Sequence, residues 1–458
     1  MKVFKNLFFL SSLTNIVLQL TQVIIIFYIA AKIGPSDFGT FVLYTSFINL
    51  FISLTETGIS SYIIKEKGFN LRKIEEYYSS LISIFICPIF LIVIILAFLI
   101  RIDNLELICL MLLGGFFQTL NIFHKAYLTK ELLFKKILLI EFISSIISIS
   151  VSVILVNKGY GLMSLVTFFL LKNIIFFLYS GKITKIKIKL ELISIESLKP
   201  SLSYISGFLT FNIINYFSRN FDKLLISEGL GKFVLGQYGL AYRVMSYPMQ
   251  TITGVINSVL LPKLAKYESL DDMKKEYLMS IFVISCFSFP LMAYLSVNAK
   301  EITLFFFSSS WDYLPQIISV LSICGAIQSV MSTVGILYQL SPNTSVMNRI
   351  AIINTIIILS SILLGVFIFK SIYIMCWLYL LSYLIIFPHT MLIPFKVYNG
   401  SLLDIIKSIY PGVLAFVLYY FSSLTTNDFI IRTIIFAFIF FVFILINHKK
   451  ILFFLKNR

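Results

Sequence analysis

Long apolar runs and short polar connections alternate along the whole 458-residue chain. Runs long enough to cross about 30 Å of hydrocarbon fall near 7–31, 41–64, 78–100, 106–124, 137–156, 162–181, 203–227, 234–261, 277–298, 314–339, 350–369, 372–395, 408–425 and 429–447. They predict an all-α polytopic membrane protein of about 14 transmembrane helices, because a helix in lipid satisfies its own backbone groups. The first run follows Lys2 and Lys5 but continues to Ala31, longer than the apolar core of a signal peptide, so it reads as an uncleaved span.

The pattern repeats. Gly34-x4-Gly39-x-Phe41 recurs 197 residues later as Gly231-x4-Gly236-x-Tyr238, and Asn15 and Asn212 are separated by the same interval. The longest polar connection, from Lys182 to Pro200, lies between the copies. Six spans precede it, an even number, so the second copy enters the membrane in the same sense as the first and the repeat is parallel. The expected organisation is an N-terminal six-helix lobe at 1–181, a basic linker at 182–202, a C-terminal six-helix lobe at 203–395, and two further helices with a basic tail at 396–458.

Composition agrees: 59% of residues are hydrophobic and 13% charged, against about 25% charged in a soluble domain. The net charge of +16 would point to nucleic acid in a soluble protein, but its distribution gives another reading. With the N-terminus placed in the cytoplasm, 26 Lys and Arg fall in cytoplasmic segments and six in the opposite loops. That asymmetry places both termini inside, and contact with anionic lipid is secondary to it. The five cysteines lie in apolar runs without CxxC spacing and read as small buried hydrophobes, with no disulfide or metal site. No P-loop, nucleophile elbow or HExxH occurs, and no cofactor is implied. Uphill transport by this chain would therefore draw on an ion gradient or a gradient of the substrate itself.

A charge at the centre of a membrane helix costs roughly 2.5–3.5 kcal/mol on insertion scales. Asn212, Asn215, Arg219 and Asp222 follow one another at steps of three, four and three, which puts them on one helical face, with Lys223 beside them. Lys172, Arg243, Arg432 and Glu56 are also intramembrane. Arg219 and Asp222 could form a local pair that only holds the helix. Lys223, Arg243 and Lys172 have no local partner, and with Arg219 they suit an anionic, phosphate-bearing substrate. Asn15, Gln19 and Gln22 form a matching stripe in the first span, Gln22 aligning with Arg219. They read as cavity polar groups or as amides joining helices. Glu56 reads equally as a proton or Na+ site for energy coupling and as a counter-ion, and Asp222 is a second coupling candidate. His124 and His389 lie near span ends and read as interfacial.

The segment Ala31-Lys32-Ile33-Gly34-Pro35-Ser36-Asp37-Phe38-Gly39 resembles the LGPxxYG-type signature of Wzx-type polysaccharide exporters, in the multidrug/oligosaccharidyl-lipid/polysaccharide flippase superfamily. Arg219-Asn220-Phe221-Asp222-Lys223, with Leu230-Gly231 and Leu235-Gly236-Gln237-Tyr238, resembles a second block of the same exporters; Tyr242, Pro248 and Pro262 continue it. Trp311 resembles the Trp of a later LFGxxW element, although Ser308-Ser309-Ser310 stand where Gly is usual. The resemblance implies two six-helix lobes around a central cavity that opens to either side in turn. It implies a polyprenyl-pyrophosphate-linked oligosaccharide as cargo, carried to the outer leaflet of a bacterial inner membrane, and a polysaccharide polymerase and chain-length machinery as partners. A multidrug exporter of the same superfamily would be expected to carry a more acidic cavity. A membrane oligosaccharide polymerase would need a sizeable external segment, which this chain lacks.

Overall fold

The computed structural model describes the chain except residues 1, 56–62, 64–70, 100–103, 188, 190–192, 265–266, 268, 341–343 and 457–458. Within the described helices it does not cover the side chains of 2–22, 54–55, 71, 96–97, 99, 197, 200–215, 218–219, 258–259, 262, 339, 344–345 and 452–456. The protein is all-helical, with no strand among the described residues. The helices are α1 (Lys2–Thr55), α2 (Leu71–Ser80), α3 (Cys87–Leu99), α4 (Leu105–Lys130), α5 (Phe134–Asn157), α6 (Leu162–Thr184), α7 (Ile195–Leu264), α8 (Leu270–Val297), α9 (Ala299–Phe306), α10 (Leu314–Met331), α11 (Val334–Leu340), α12 (Thr344–Leu363), α13 (Ile372–Phe395), α14 (Leu402–Ser423) and α15 (Phe429–Lys456). A π-helical turn at Leu81–Ile86 joins α2 to α3, and another at Leu364–Ile368 follows α12.

Eleven helices among the described residues are long and apolar enough to cross a membrane, so this is a multi-pass membrane protein. The first candidate, Val23–Ser53, runs from the first expected span into the second, and no candidate among the described residues falls in α7. Both α1 and α7 contain a break. Inside α1 the helix breaks at Gly34, at φ 81° and ψ 172°, and inside α7 it breaks at Gly231, at φ 86° and ψ 169°. Only glycine adopts that conformation readily. A Cβ at either position would meet nothing within 4 Å, so the requirement comes from the backbone and not from crowding. The glycines repeated in the sequence are thus one backbone break made twice.

The chain divides into two compact units, Met1–Ser227 and Glu228–Arg458. In the first, α4 lies close against α6 and α1: a Cβ at Gly114 would be 2.7 Å from the Phe169 ring, and one at Gly115 would be 2.7 Å from Ile48. After α6 the chain runs extended along α2. The Lys187 amide donates to Glu75 Oε1 (3.2 Å), the Lys189 amide to Ser79 Oγ (2.8 Å) and the Ser194 amide to Ser80 Oγ (2.8 Å). The Lys189 ammonium pairs with the other oxygen of Glu75. Glu75 and Ser79 are one helical turn apart, so one face of α2 supplies partners to backbone amides that lie in no helix. Ile186 is buried while Lys187 and Lys189 are exposed. His124 is buried in protein: its Nε2 meets the Tyr78 hydroxyl at 3.3 Å and its Nδ1 the Thr184 hydroxyl at 3.0 Å.

In the second unit the last two helices pack onto α8. A Cβ at Gly412 in α14 would lie 2.5 Å from the Ser285 carbonyl oxygen. Lys274 pairs with Asp404 at 2.8 Å, and Asn298 donates to the Tyr419 hydroxyl at 2.6 Å. Arg432, in the first turn of α15, binds Glu301 (3.1 Å), the Thr426 carbonyl (2.9 Å) and Asn427 (3.2 Å). This cation of the last expected span therefore clamps α15 to α9. His389 is half-buried and meets Asn354 Oδ1 at 2.8 Å.

Gly34→Ala and Gly231→Ala are each expected to destabilise the protein by about 1–3 kcal/mol. Gly181→Ala, where a Cβ inside α6 meets nothing within 4 Å, should be close to neutral. Thermal unfolding of the purified proteins in detergent, followed by aggregation, checks the contrast.

Candidate substrate-binding site

Just before the signature segment of α7 lies Tyr216, which is buried and donates its hydroxyl to the Ser46 carbonyl of α1 at 2.9 Å. One turn on, Asn220 returns its amide to the Tyr216 carbonyl (3.2 Å), and its Oδ1 accepts from Lys223 Nζ at 2.9 Å. Asp222 is buried, and Phe217 and Phe221 stack edge to face at 5.5 Å. The ammonium of Lys223 is thus oriented by a neutral amide. The backbone at Asn212, Asn215 and Arg219 is helical, which keeps the stripe on one face, but their side chains lie outside the described residues. The same holds for Asn15, Gln19 and Gln22 on α1, and Glu56 lies outside the described residues altogether.

Lys172, on α6, does not stand alone. It interacts electrostatically with Glu141 of α5, which also holds Lys125 in an ion pair of 2.8 Å. Glu141 sits within the fifth expected span and is a further intramembrane carboxylate that the helical-stripe reading passed over. Its partners come from other helices, and spacing along one helix does not show them. Arg243 is half-buried on α7 in the second unit. Of the predicted cations, the structure therefore places Lys223 beside Asn220, Lys172 beside Glu141, and Arg243 on a different unit from both.

The second signature block has a clear structural task. Gln237, fully buried after the Gly231 break, donates through Nε2 to Asp312 Oδ1 at 2.8 Å and accepts from the Tyr313 amide at 2.8 Å. It thereby holds the turn that carries Trp311, itself buried against Phe307 at 5.2 Å. Two motifs far apart in sequence meet as one joint. In the first unit the Gly34 loop sits differently: Asp37 approaches Gly161 at the start of α6, and Tyr28 donates to Asn157 at 2.9 Å.

Residues 29–316 match the family model described as polysaccharide biosynthesis protein. The chain belongs to the polysaccharide biosynthesis protein family. A relative from Klebsiella pneumoniae, an uncharacterized membrane protein in the cps region, is 26% identical over 71% of this chain and 68% of its own length. The lipopolysaccharide biosynthesis protein WzxC of Escherichia coli is 28% identical over 31% of this chain and 29% of its own. The teichuronic acid biosynthesis protein TuaB of Bacillus subtilis is 29% identical over 31% and 29%. Among solved structures, the lipid II flippase MurJ in an inward closed conformation matches with a TM-score of 0.72 at 17% identity, over 98% of this chain and all of that one. An inward-facing multidrug resistance transporter of the MATE family matches at 0.56 and 14% identity, over 90% of this chain. The fold of this member of the family is thus that of the MurJ and MATE transporters.

Gln237→Leu should remove one partner from the Tyr313 amide and one from Asp312, which still bond each other, and cost about 0.5–1.5 kcal/mol. Gln237→Glu should cost as much, since a carboxylate cannot donate to Asp312. Unfolding of both variants against the parent protein reads the loss.

Proposed function

We propose that the protein is a transporter that moves polyprenyl-pyrophosphate-linked oligosaccharide repeat units from the cytoplasmic to the outer leaflet of a bacterial inner membrane by alternating access. Both termini lie in the cytoplasm in this reading, as the loop charges require. The observation that carries it is the cation-bearing segment of α7, where Lys223 is oriented by Asn220 within a signature block of a polysaccharide biosynthesis family member. A diphosphate needs cations in a site sheltered from water, and hydrocarbon gives the chain no other reason to keep them. Arg219, Lys223 and Arg243 are the groups assigned to the diphosphate. Lys172 is a weaker candidate, because Glu141 already neutralises part of its charge.

The likeness in fold to a protein named as a lipid II flippase supports this reading. The multidrug exporter is the second reading, favoured by the weaker MATE likeness. Coupling to Na+ or H+ through Glu56 or Asp222 would serve either one. A polymerase and chain-length machinery are the partners that would consume the flipped unit.

Arg219→Ala and Arg243→Ala should abolish surface polysaccharide while the protein remains inserted at the parent level. Cells carrying either variant should accumulate a complete repeat unit on polyprenyl pyrophosphate. Mass spectrometry of extracted lipid-linked sugars makes the check, and normal surface glycan with both variants would sink the proposal.

A further inference from the structure

A cavity of about 440 Å³ opens in the second unit between the Gly231 break, the start of α10 and the start of α13. This is within the usual size range of small-molecule sites, about 300–1,000 Å³. Leu230 and Val234 form its apolar side, and Lys370, Ser371, Gln316 and Tyr313 with Tyr373 form its polar and aromatic side. None of the loops that meet here belongs to the basic set: Lys232 and Lys370 are two of the six cations on the opposite face. The cavity therefore lies on the side where cargo would be released.

Its wall is closely packed. The π-helical turn Leu364–Ile368 precedes Lys370, and such turns are frequent at functional sites. That turn is wedged on both sides. A Cβ at Gly229 would collide with the Val366 side chain, and one at Gly365 with the Met375 backbone. Lys370 itself adopts the left-handed conformation, φ 47°, and Ser371 then caps α13 by accepting from the Ile374 amide at 3.4 Å. Lys370 takes part in none of the ion pairs among the described residues. It is the one charged group in the lining. Asp312, the adjacent carboxylate, is held by Gln237 and by the Tyr313 amide. The two tyrosines are braced from outside, Tyr313 edge to face with Phe233 at 6.4 Å and Tyr373 with Trp377 at 6.3 Å.

We propose that this cavity binds an acidic sugar, a uronic acid or similarly charged residue, of the glycan after it has crossed. Lys370 meets the carboxylate, Gln316 and Ser371 meet ring hydroxyls, and the two tyrosines supply aromatic faces that present both an apolar body and a polar tip. A cationic drug finds no counter-charge in this lining. The inference rests on the flippase reading for the identity of the ligand, and it assigns a charged sugar to the cargo.

Calorimetric titration of the purified full-length protein in neutral detergent tests it, with trigalacturonate as probe and maltotriose as its uncharged counterpart. Saturable binding of trigalacturonate is expected, weakened at least tenfold by Lys370→Ala and largely kept by Lys370→Arg, with maltotriose binding at least tenfold more weakly than trigalacturonate. Absence of trigalacturonate binding to the folded parent protein, or equal binding by Lys370→Ala, overturns the proposal. The same titration in nanodiscs of phosphatidylcholine and of phosphatidylglycerol separates a second source of the anion. If phosphatidylglycerol alone abolishes the binding, the cavity holds a lipid headgroup and the sugar assignment falls. None of these measurements requires transport, so a protein that exports glycan normally yet binds no uronate would refute the cavity and leave the flippase reading intact.

Discussion

The cost of placing charge in hydrocarbon organises this protein. At roughly 2.5–3.5 kcal/mol for each unshielded ion, every cation inside a span needs a partner, a helix end or a use. Arg432 is tied to Glu301 and to carbonyl oxygens at the start of its helix, and Lys172 interacts with Glu141. Lys223 donates to the neutral amide oxygen of Asn220, one turn back on its own helix, and the use proposed for it is the diphosphate.

The same constraint explains the joints. A helix can turn inside a membrane protein only where the freed backbone groups are satisfied, and here two turns are made at Gly34 and Gly231 with nearly identical dihedral angles. The second is locked by the buried Gln237 on the turn that carries Trp311. The connection after α6 is handled in the same way at Lys187, Lys189 and Ser194, whose amides donate to Glu75, Ser79 and Ser80. These devices give a largely apolar chain defined geometry where apolar packing alone would leave its helices free to slide.

The helices and the paired glycine breaks were legible in the sequence, because run length, periodicity and a 197-residue repeat each report on local backbone. So was the family, through the blocks around 31–41 and 219–262 that lie inside the matched region 29–316. The cross-helix partners were not legible. Glu141 to Lys172, Gln237 to Asp312 and Tyr216 to Ser46 join residues 31 to 170 positions apart, and no spacing rule along one helix encodes them. Nor did composition show that the last two helices pack so tightly on α8, since that depends on one missing side chain at Gly412. The stripe through Arg219 was legible as a face, and Asn220, which orients the adjacent Lys223, is the residue it omitted.

Translocation by the purified protein tests the central claim most directly. The protein would be reconstituted in liposomes holding a fluorescent polyprenyl-pyrophosphate-linked saccharide in the inner leaflet, and arrival in the outer leaflet would be followed with an added membrane-impermeant glycosidase. The account predicts that the protein accelerates arrival well above protein-free liposomes, without ATP, and that Lys223→Ala removes most of the acceleration. Arrival no faster than in protein-free liposomes, with or without an imposed Na+ or H+ gradient, would contradict it.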